Sequence, residues 1–440
     1  MLSGDNGILQ KATDAKIQTG IGQEKEIIAL AYNSALAKKL GNGDSTSVRA
    51  TDLNIELTNQ GASADGDNPI TVTFTESQNT YTIDSNGNIE KNIPPEPMVA
   101  GKTVKESKGN KIASNNTVLV DDYGNNITIP KGFKIATDSA DNVTGGIIIE
   151  DATYTNTIGS QFVWIPVGTR ENAIKKNEEG TEKVEIALDR YCFQDDTSAK
   201  TGIPTSWSNL SAGSGYHPYL APQYTEETTY REGSKDDNIN ATAKEISTFI
   251  SSVESKGGFY IGRYEARTAT QRTNSTSNDK TITDSNLTQI TEKQSDYVYN
   301  WVTQLQAAKL SREMYSKDNE NNNITEFASD LMNSYAWDTA TLFLQECGEE
   351  KYSIKSSVNT YVNEYYDGFA EKGTSTDHPC NVYDMASNCF EWTTESFRYS
   401  PCVFRGGVNR DNSCYTSIRL NISMEGWGYD YSFRPILYLK

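Results

Sequence analysis

The sequence predicts an α+β fold, and three observations support this prediction. The first forty residues carry apolar side chains at helical spacing. Residues 52–92 instead alternate apolar and polar side chains, as strands do. From about residue 132 onward, helical and strand patterns mix without the regular alternation of a βαβ protein. We therefore expect segments at 1–44 (a helix), 45–93 (a small β unit), 94–131 (a linker and hairpin) and 132–440 (a large α+β domain).

Composition and net charge exclude some classes of function. The chain has 440 residues and a net charge of −19, which argues against nucleic-acid partners because phosphates would be repelled. The same charge opposes binding to an anionic membrane surface. Hydrophobic residues make up only 36% of the chain, and tyrosines number 25. This composition is typical of a hydrated surface on which tyrosine rings provide flat contact area. We predict an extracellular protein without nucleic-acid partners.

The N-terminal segment is predicted to be one long helix over residues 3–40. Its end is marked by Gly41 and Gly43, which are typical of a helix C-terminus. Glu24 interrupts the apolar stripe. The stripe consists of Ile17, Ile21, Ile28, Ala31 and Ala35.

A small β unit follows the helix. Threonines separate Ile70, Val72 and Phe74, and the pair Asn86–Gly87 is a strong hairpin signal. The prolines within 94–97 predict a stiff linker. Residues 118–120 and 127–129 then predict a further hairpin.

Three helical stripes are predicted in the large domain. The first is closed by Gly257, and the third has Ser334 as its expected N-cap. The stripes are Ile246, Phe249, Ile250 and Val253; Val298, Trp301, Leu305 and Ala308; and Trp337, Ala340, Leu344 and Cys347. The segments 170–240 and 268–296 are polar and aperiodic, so we expect long surface insertions there.

Three motifs near the C-terminus combine aromatic and charged side chains. They are NVYDMASNCFEWTTE at 381–395, FRGGV at 404–408 and YSFRPIL at 431–437. A packed core must pair or ligate the charges that these motifs contain. The glycine pair within FRGGV allows a positive φ beside that charge. The expected core residues are Trp392, Arg405, Gly406, Gly407, Phe433 and Arg434.

These motifs, together with residues 162–167, 257–266 and 334–340, resemble the formylglycine-generating-enzyme-like domain. That domain is the sulfatase-modifying-factor branch of the C-type-lectin-like fold. The resemblance covers about residues 132–440 and implies a lectin-like core with long loop insertions.

The resemblance does not extend to catalysis. The resembled enzymes oxidise a substrate cysteine with two closely spaced cysteines soon after the Arg-Gly-Gly motif. Here only Cys414 lies in that window, and Cys402 lies on the other side of the motif. We predict no catalytic residues and no enzyme activity, and a formylglycine-type oxidoreductase is the alternative. Whether Cys402 and Cys414 form a disulfide or are buried thiols stays open.

Binding is the function that these observations favour. Lectin-like folds hold a loop-built face on a rigid core, and large apolar side chains occur without regular period between Gly407 and Tyr431. The alternative is that half of these apolar side chains pack into the core. The candidate ligand-binding residues are Val408, Asn409, Arg410, Asp411, Leu420, Asn421, Ile422, Met424, Glu425, Trp427 and Tyr429.

The same layout resembles the variable proteins of diversity-generating retroelements, in which diversified positions precede a terminal Phe-Arg motif. Phe433 and Arg434 form such a motif here. The resemblance implies that the candidate binding residues are diversified.

The formylglycine-type resemblance also implies a calcium ion (Ca2+) near the Glu-Trp motif. Asp384 and Glu391 would supply carboxylate oxygens, and Ser387 and Cys389 would supply backbone carbonyls. The alternative is that Glu391 pairs with Arg405 or Arg434 in the core.

Residues 2–16 and 24–35 resemble the segment that follows the hydrophobic helix in type IV pilin-like proteins of Gram-positive bacteria. The apolar half-helix of that family is absent from this sequence, so we expect a truncated form. The resemblance implies other pilin subunits as partners, and membrane contact only through the missing segment. The location would be the cell surface or a pilus, where the large domain would bind a protein or glycan as an adhesin does. A purely structural filament subunit is the alternative.

Overall fold

The computed structural model contains both helices and strands, as the α+β prediction requires. It describes residues 5–44, 46–193, 202–209, 224–226, 245–272, 287–315, 324–356, 376–397, 402–408, 414–422 and 428–440. The chain divides into two compact units, Met1–Pro95 and Glu96–Lys440. Each unit has its own hydrophobic core.

The first unit packs helices against a four-stranded antiparallel sheet. Its elements are α1 Asp5–Gly41, α2 Ala50–Leu57, β1 Ala62–Asp65, β2 Ile70–Phe74, β3 Thr80–Ile83 and β4 Ile89–Asn92. Ile70, Val72 and Phe74 are buried while the threonines between them are not, as the alternation predicted. Gly87 has a φ of +80° in the turn between β3 and β4, which confirms the hairpin.

The interruption of the α1 stripe has a structural reason. Glu24 accepts hydrogen bonds from Ser77 Oγ (2.5 Å), Asn79 Nδ2 (2.8 Å) and Tyr81 Oη (2.6 Å). Partial burial opposes the charge, but these three donors lower the pKa of Glu24. Glu24 therefore joins the helix to the sheet through polar contacts at a position where the stripe lacks an apolar side chain.

In its described residues, the second unit contains three α-helices and many short strands. The helices are α3 Ile246–Lys256, α4 Gln304–Glu313 and α5 Ser334–Phe343. The strands are β5 Glu96–Pro97, β6 Lys111–Ile112, β7 Thr117–Val120, β8 Asn126–Ile129, β9 Phe133–Ile135, β10 Ile148–Asp151, β11 Gln161–Pro166, β12 Ile174–Lys175, β13 Lys183–Val184, β14 Tyr191–Phe193, β15 Pro204–Ser206, β16 Tyr224–Thr225, β17 Gly258–Gly262, β18 Arg267–Thr268, β19 Tyr297–Val298, β20 Phe327–Leu331, β21 Phe390–Trp392, β22 Ser396–Phe397, β23 Cys402–Arg405, β24 Arg419–Ile422, β25 Tyr431–Phe433 and β26 Pro435–Leu439.

Two sheets organise this unit. A six-stranded sheet in the order β20-β26-β17-β11-β10-β9 places the C-terminal strand β26 between β20 and β17. A four-stranded sheet in the order β24-β23-β21-β25 is built from the three C-terminal motifs and the segment between them. The chain passes directly from β25 to β26, so the two sheets share one core.

The boundary between the units lies within the predicted proline-rich linker. The hairpin of β7 and β8 forms as expected, with Leu119 opposite Ile127. Leu119, Ile127 and Ile129 are fully buried in the core of the second unit. The segment from residue 96 onward is therefore part of the large unit.

The three predicted helices were located with unequal accuracy. α3 ends at Gly257, a left-handed C-cap with φ +75°, as predicted. The predicted stripe from Val298 to Ala308 is wrong in its first half, because α4 begins only after the N-cap Thr303. The N-cap of α5 is Asn333, whose side chain accepts from Ala336 N, and not Ser334.

The predicted surface insertions contribute buried structure in their described parts. Within 170–240, Ile174, Tyr191, Phe193 and Tyr224 are buried on short strands, and Ile186 is buried in an isolated bridge to Gly168. Within 268–296, Arg272, Ile290, Thr291 and Glu292 are buried. Single apolar residues spaced among polar ones gave no periodic signal, which is why the sequence suggested loops.

Among the described residues, no helix has both the length and the apolar content needed to cross a bilayer. Cys192, Cys347, Cys380 and Cys389 are free thiols. Cys402 and Cys414 are both buried.

Candidate functional site

The candidate site is the four-stranded C-terminal sheet, whose register gives it two chemically different sides. On one side Phe404 lies opposite Leu420 and Trp392. On the other side Arg405 lies opposite Glu391 and Arg419. Side chains that pair directly across strands share one side of a sheet, so one side is apolar and the other is charged.

The apolar side is an aromatic cluster. The rings of Trp392 and Tyr431 stack at a centroid distance of 5.0 Å, and Phe404 meets Tyr431 edge-on at 5.1 Å. Phe390 lies 4.8 Å from Phe404. Such pairs hold rings in fixed geometry. The cluster therefore supports β24, whose Leu420 packs against the same core.

The charged side is held by an ion-pair network of Asp338, Glu395, Arg405 and Arg419, and Arg190 also pairs with Glu395 (3.5 Å). Arg405 donates to Asp338 Oδ1 (2.6 Å) and to Glu395 Oε2 (3.4 Å). Arg419 donates to Glu395 Oε1 (2.6 Å) and also binds Asp338. Burial opposes the charge of Glu395, but Arg419, Arg190 and Arg405 lower its pKa. The network ties β23 and β24 to helix α5, which carries Asp338.

Residues of the predicted insertion complete this support. The indole of Trp207 lies between two guanidinium groups, 4.2 Å from that of Arg190 and 4.5 Å from that of Arg419. Tyr224 donates to Arg419 O (3.3 Å) and accepts from Asn421 Nδ2 (3.2 Å). The described parts of the insertion thus fix the backbone of β24.

The Arg-Gly-Gly motif has a steric role. Gly406 has a φ of +84°, as its expected conformational freedom suggested. A Cβ added at Gly407 would lie 2.0 Å from Ala386 O. The two glycines therefore let β23 pass directly against the turn that precedes the Glu-Trp motif.

The second buried arginine pairs with Glu391. Arg434 donates to both carboxylate oxygens of Glu391, at 2.6 and 3.1 Å. It also donates to Gly262 O (2.8 Å) and Tyr383 O (2.7 Å). Burial works against the guanidinium charge, but Glu391 raises the pKa of Arg434. Arg434 and Glu391 are both buried, and the pair joins the Glu-Trp motif to strand β17 of the six-stranded sheet.

The four residues of the expected calcium set lie close together in the chain but have other contacts. Ser387 Oγ donates to Asp384 Oδ1 (3.2 Å), and Cys389 N donates to Glu265 Oε1 (3.1 Å). Within the described part of the chain, no group of three or more His, Cys, Asp or Glu side chains is arranged to hold a metal ion. Calcium binding stays a prediction.

The predicted ligand-binding residues are distributed unevenly. Leu420, Asn421 and Ile422 are half-buried on β24, the end strand of the sheet among the described strands, and Tyr429 is 39% exposed. Val408 is only 1% exposed, so its side chain packs in the core and cannot touch a ligand in this conformation. Six candidates lie outside the described residues: Asn409, Arg410, Asp411, Met424, Glu425 and Trp427.

The described thiols do not favour nucleophilic chemistry. Burial raises the pKa of Cys347 to about 12 and the pKa of Cys389 well above its usual value. Burial also raises the pKa of the Cys192 and Cys380 thiols. A thiol with a raised pKa holds its proton at neutral pH and is a poor nucleophile.

Sequence analysis missed several residues of this site. Asp338 and Arg419 form the network with Arg405 but stand in no recognisable spacing relative to it. The only signal was the need of a buried arginine for partners. That need predicts that partners exist and does not identify them.

Comparison with family models, with characterised proteins and with solved structures finds no match to this chain.

Proposed function

We propose that the protein is a pilin-like surface protein that binds a ligand through its C-terminal sheet and performs no chemistry on it. One observation carries this proposal. Strand β24 presents Leu420, Asn421 and Ile422 at partial exposure at the edge of a sheet, and the two sides of that sheet carry a charged network and a largely buried aromatic cluster. A rigid support beneath a partly exposed face reduces the ordering cost of binding.

The proposal includes a lectin-like fold of the formylglycine-generating type for the second unit. Two features support it: the pairing of β21 with β23 and β25, which joins the three motifs, and the tight passage of the glycine pair. The single cysteine, Cys414, in the window after the Arg-Gly-Gly motif favours binding over cysteine oxidation. Copper binding with thiol-dependent oxygen consumption by the purified protein would contradict the absence of chemistry.

An array experiment tests the binding function. The full-length protein is applied to glycan and protein arrays, and Ile422→Ser is compared with Val118→Ser, a change at a 41% exposed valine of the same unit. We expect binding to at least one class of probe, weakened at least tenfold by Ile422→Ser and unchanged by Val118→Ser. Equal loss in both variants, or no binding by the unmodified protein, would contradict the proposal.

For the first unit we propose assembly with other pilin subunits through helix α1. Leu30 and Leu40 on this helix are 65% and 60% exposed, so both side chains are accessible for contact with another subunit. The variant Leu30→Glu should reduce incorporation into filaments on the producing cell without lowering the unfolding temperature. Normal incorporation of this variant would count against assembly through α1.

We further propose that the binding face is diversified by a retroelement. Comparing the gene with a near-identical neighbouring template copy tests this. Mismatches outside adenine positions of the template would contradict it.

A further inference from the structure

The turn at Trp301 shows backbone strain at a bulky side chain. Trp301 has a φ of +54°, in the left-handed region that glycine and asparagine adopt most easily. An aromatic residue there costs free energy that a glycine would avoid. Such outliers persist where the surrounding structure holds them, and they concentrate at binding sites.

The surrounding structure does hold this turn in place. Trp301 N donates to Gly428 O (2.9 Å), and Trp301 O accepts from Arg272 Nη2 (3.1 Å). Arg272 also donates to Asn300 O (2.9 Å), and its guanidinium lies 4.4 Å from the ring centre of the buried Tyr299. The backbone is therefore fixed on both sides of Trp301, while its side chain is only half-buried.

The same turn reaches the predicted binding face. Asn300 Nδ2 donates to Tyr429 O (3.0 Å), and the rings of Trp301 and Tyr429 lie 6.0 Å apart at a tilt of 53°. Tyr429 is 39% exposed. Two partly exposed aromatic rings thus lie side by side, one from the C-terminal region and one from a loop about 130 residues earlier in the chain. The sequence pattern predicts that Trp301, the residue from the earlier loop, lies in a helix.

We propose that Trp301 and Tyr429 form an aromatic pair that receives a lysine or arginine side chain of a protein partner. The faces of tryptophan and tyrosine rings attract cations. The chain's net charge of −19 favours a cationic partner. The inference rests on the proposed function, because it names the partner chemistry for the same face.

The test uses the full-length protein and peptide arrays in which one central position is lysine, arginine, glutamate or alanine, together with a glycan array. The informative variant is Trp301→Gly, because glycine accepts the φ of this turn while removing the ring. The matched control is Tyr297→Ala, which removes a 44% exposed tyrosine from the preceding strand β19. Thermal unfolding of both variants checks that the fold is kept.

We expect the unmodified protein to select lysine and arginine peptides over glutamate and alanine peptides. Trp301→Gly should weaken that binding at least tenfold, and Tyr297→Ala should leave it unchanged. Peptide binding that survives Trp301→Gly but is lost in Ile422→Ser would overturn the aromatic-pair inference and leave the proposed function standing. Selection of glycans alone would also overturn it. Absence of binding to every probe would overturn both proposals.

Discussion

Buried charge decides the properties of individual residues in the C-terminal region. Arg434 and Glu391 are both buried, and each is the other's ion-pair partner. Removing one charge would leave the other buried and unpaired, which costs far more than a surface pair contributes. The pair is therefore a point at which a single substitution should be decisive.

The first prediction concerns Arg434. We expect Arg434→Met to lower the free energy of unfolding of the second unit by about 3–5 kcal/mol, because Glu391 loses its partner. The double variant with Glu391→Leu should recover much of that loss. Urea unfolding measures both.

The matched surface control is Lys131→Ala, which removes an exposed pair with Glu326 and should cost less than about 1 kcal/mol. Equal losses for the surface and buried pairs would show that the Arg434 pair does not support the core.

The second prediction uses two buried carboxyl groups with opposite shifts. Burial raises the pKa of Glu292 well above its usual value, although Arg434 and Arg267 act in the opposite direction. Between the usual value of 4.5 and the raised value, the unfolded chain ionises while the folded protein keeps its proton. Stability from this group is therefore lost as pH rises, and Glu292→Gln should gain stability relative to the unmodified protein as pH rises above 4.5.

Glu395→Gln should show the opposite trend, because the arginines lower the pKa of Glu395. Its charge stabilises the fold above about pH 4.5, and this contribution is lost as pH falls through the lowered value. Thermal unfolding measured from below to above pH 4.5 follows both variants. Parallel pH profiles for the two would refute the assigned shifts.

At the scale of elements, the sequence predicted local backbone structure better than it predicted which distant residues contact each other. The hairpin turn at Gly87 and the C-cap Gly257 follow from one residue's conformational freedom, so both could be predicted. The helix predicted from Val298 was placed too early because Trp301 lies at helical spacing from Leu305 by coincidence. The capping residues Thr303 and Gln306 are the better signal.

The candidate site shows the same difference between what the sequence predicts locally and the distant contacts that it does not predict. The motifs identified which arginines and aromatic residues would be buried, because charge beside aromatic mass requires a packed core. They did not identify Asp338 or Trp207, since contacts between distant segments leave no mark in local spacing.

The third prediction concerns the close approach of β23 to the preceding turn. Gly407→Ala should destabilise the second unit by about 1–3 kcal/mol or more, because the new Cβ would meet the backbone at Ala386. Gly22→Ala in α1 is the matched control, since nothing lies within 4 Å of its Cβ position. Alanine there should raise the stability of the first unit by up to about 1 kcal/mol. Chemical unfolding distinguishes the two, and a neutral Gly407→Ala would contradict the tight passage.

At the scale of the molecule, two separate cores predict two unfolding events. Leu53 is fully buried in the first unit and Leu437 in the second. We expect Leu53→Ala to lower the temperature of only one unfolding transition and Leu437→Ala to lower that of only the other. Each substitution should reduce the free energy of unfolding of its unit by about 2–5 kcal/mol. Calorimetry measures both transitions. A single transition that both variants shift equally would show that the units fold as one.

Hydrogen exchange of the full-length protein, with and without the array-selected ligand, tests the central claim most directly. If the C-terminal sheet is the binding face, added protection should concentrate on residues 299–303, 419–422 and 428–431. Protection confined to residues 1–95, with no change on β24, would contradict the account.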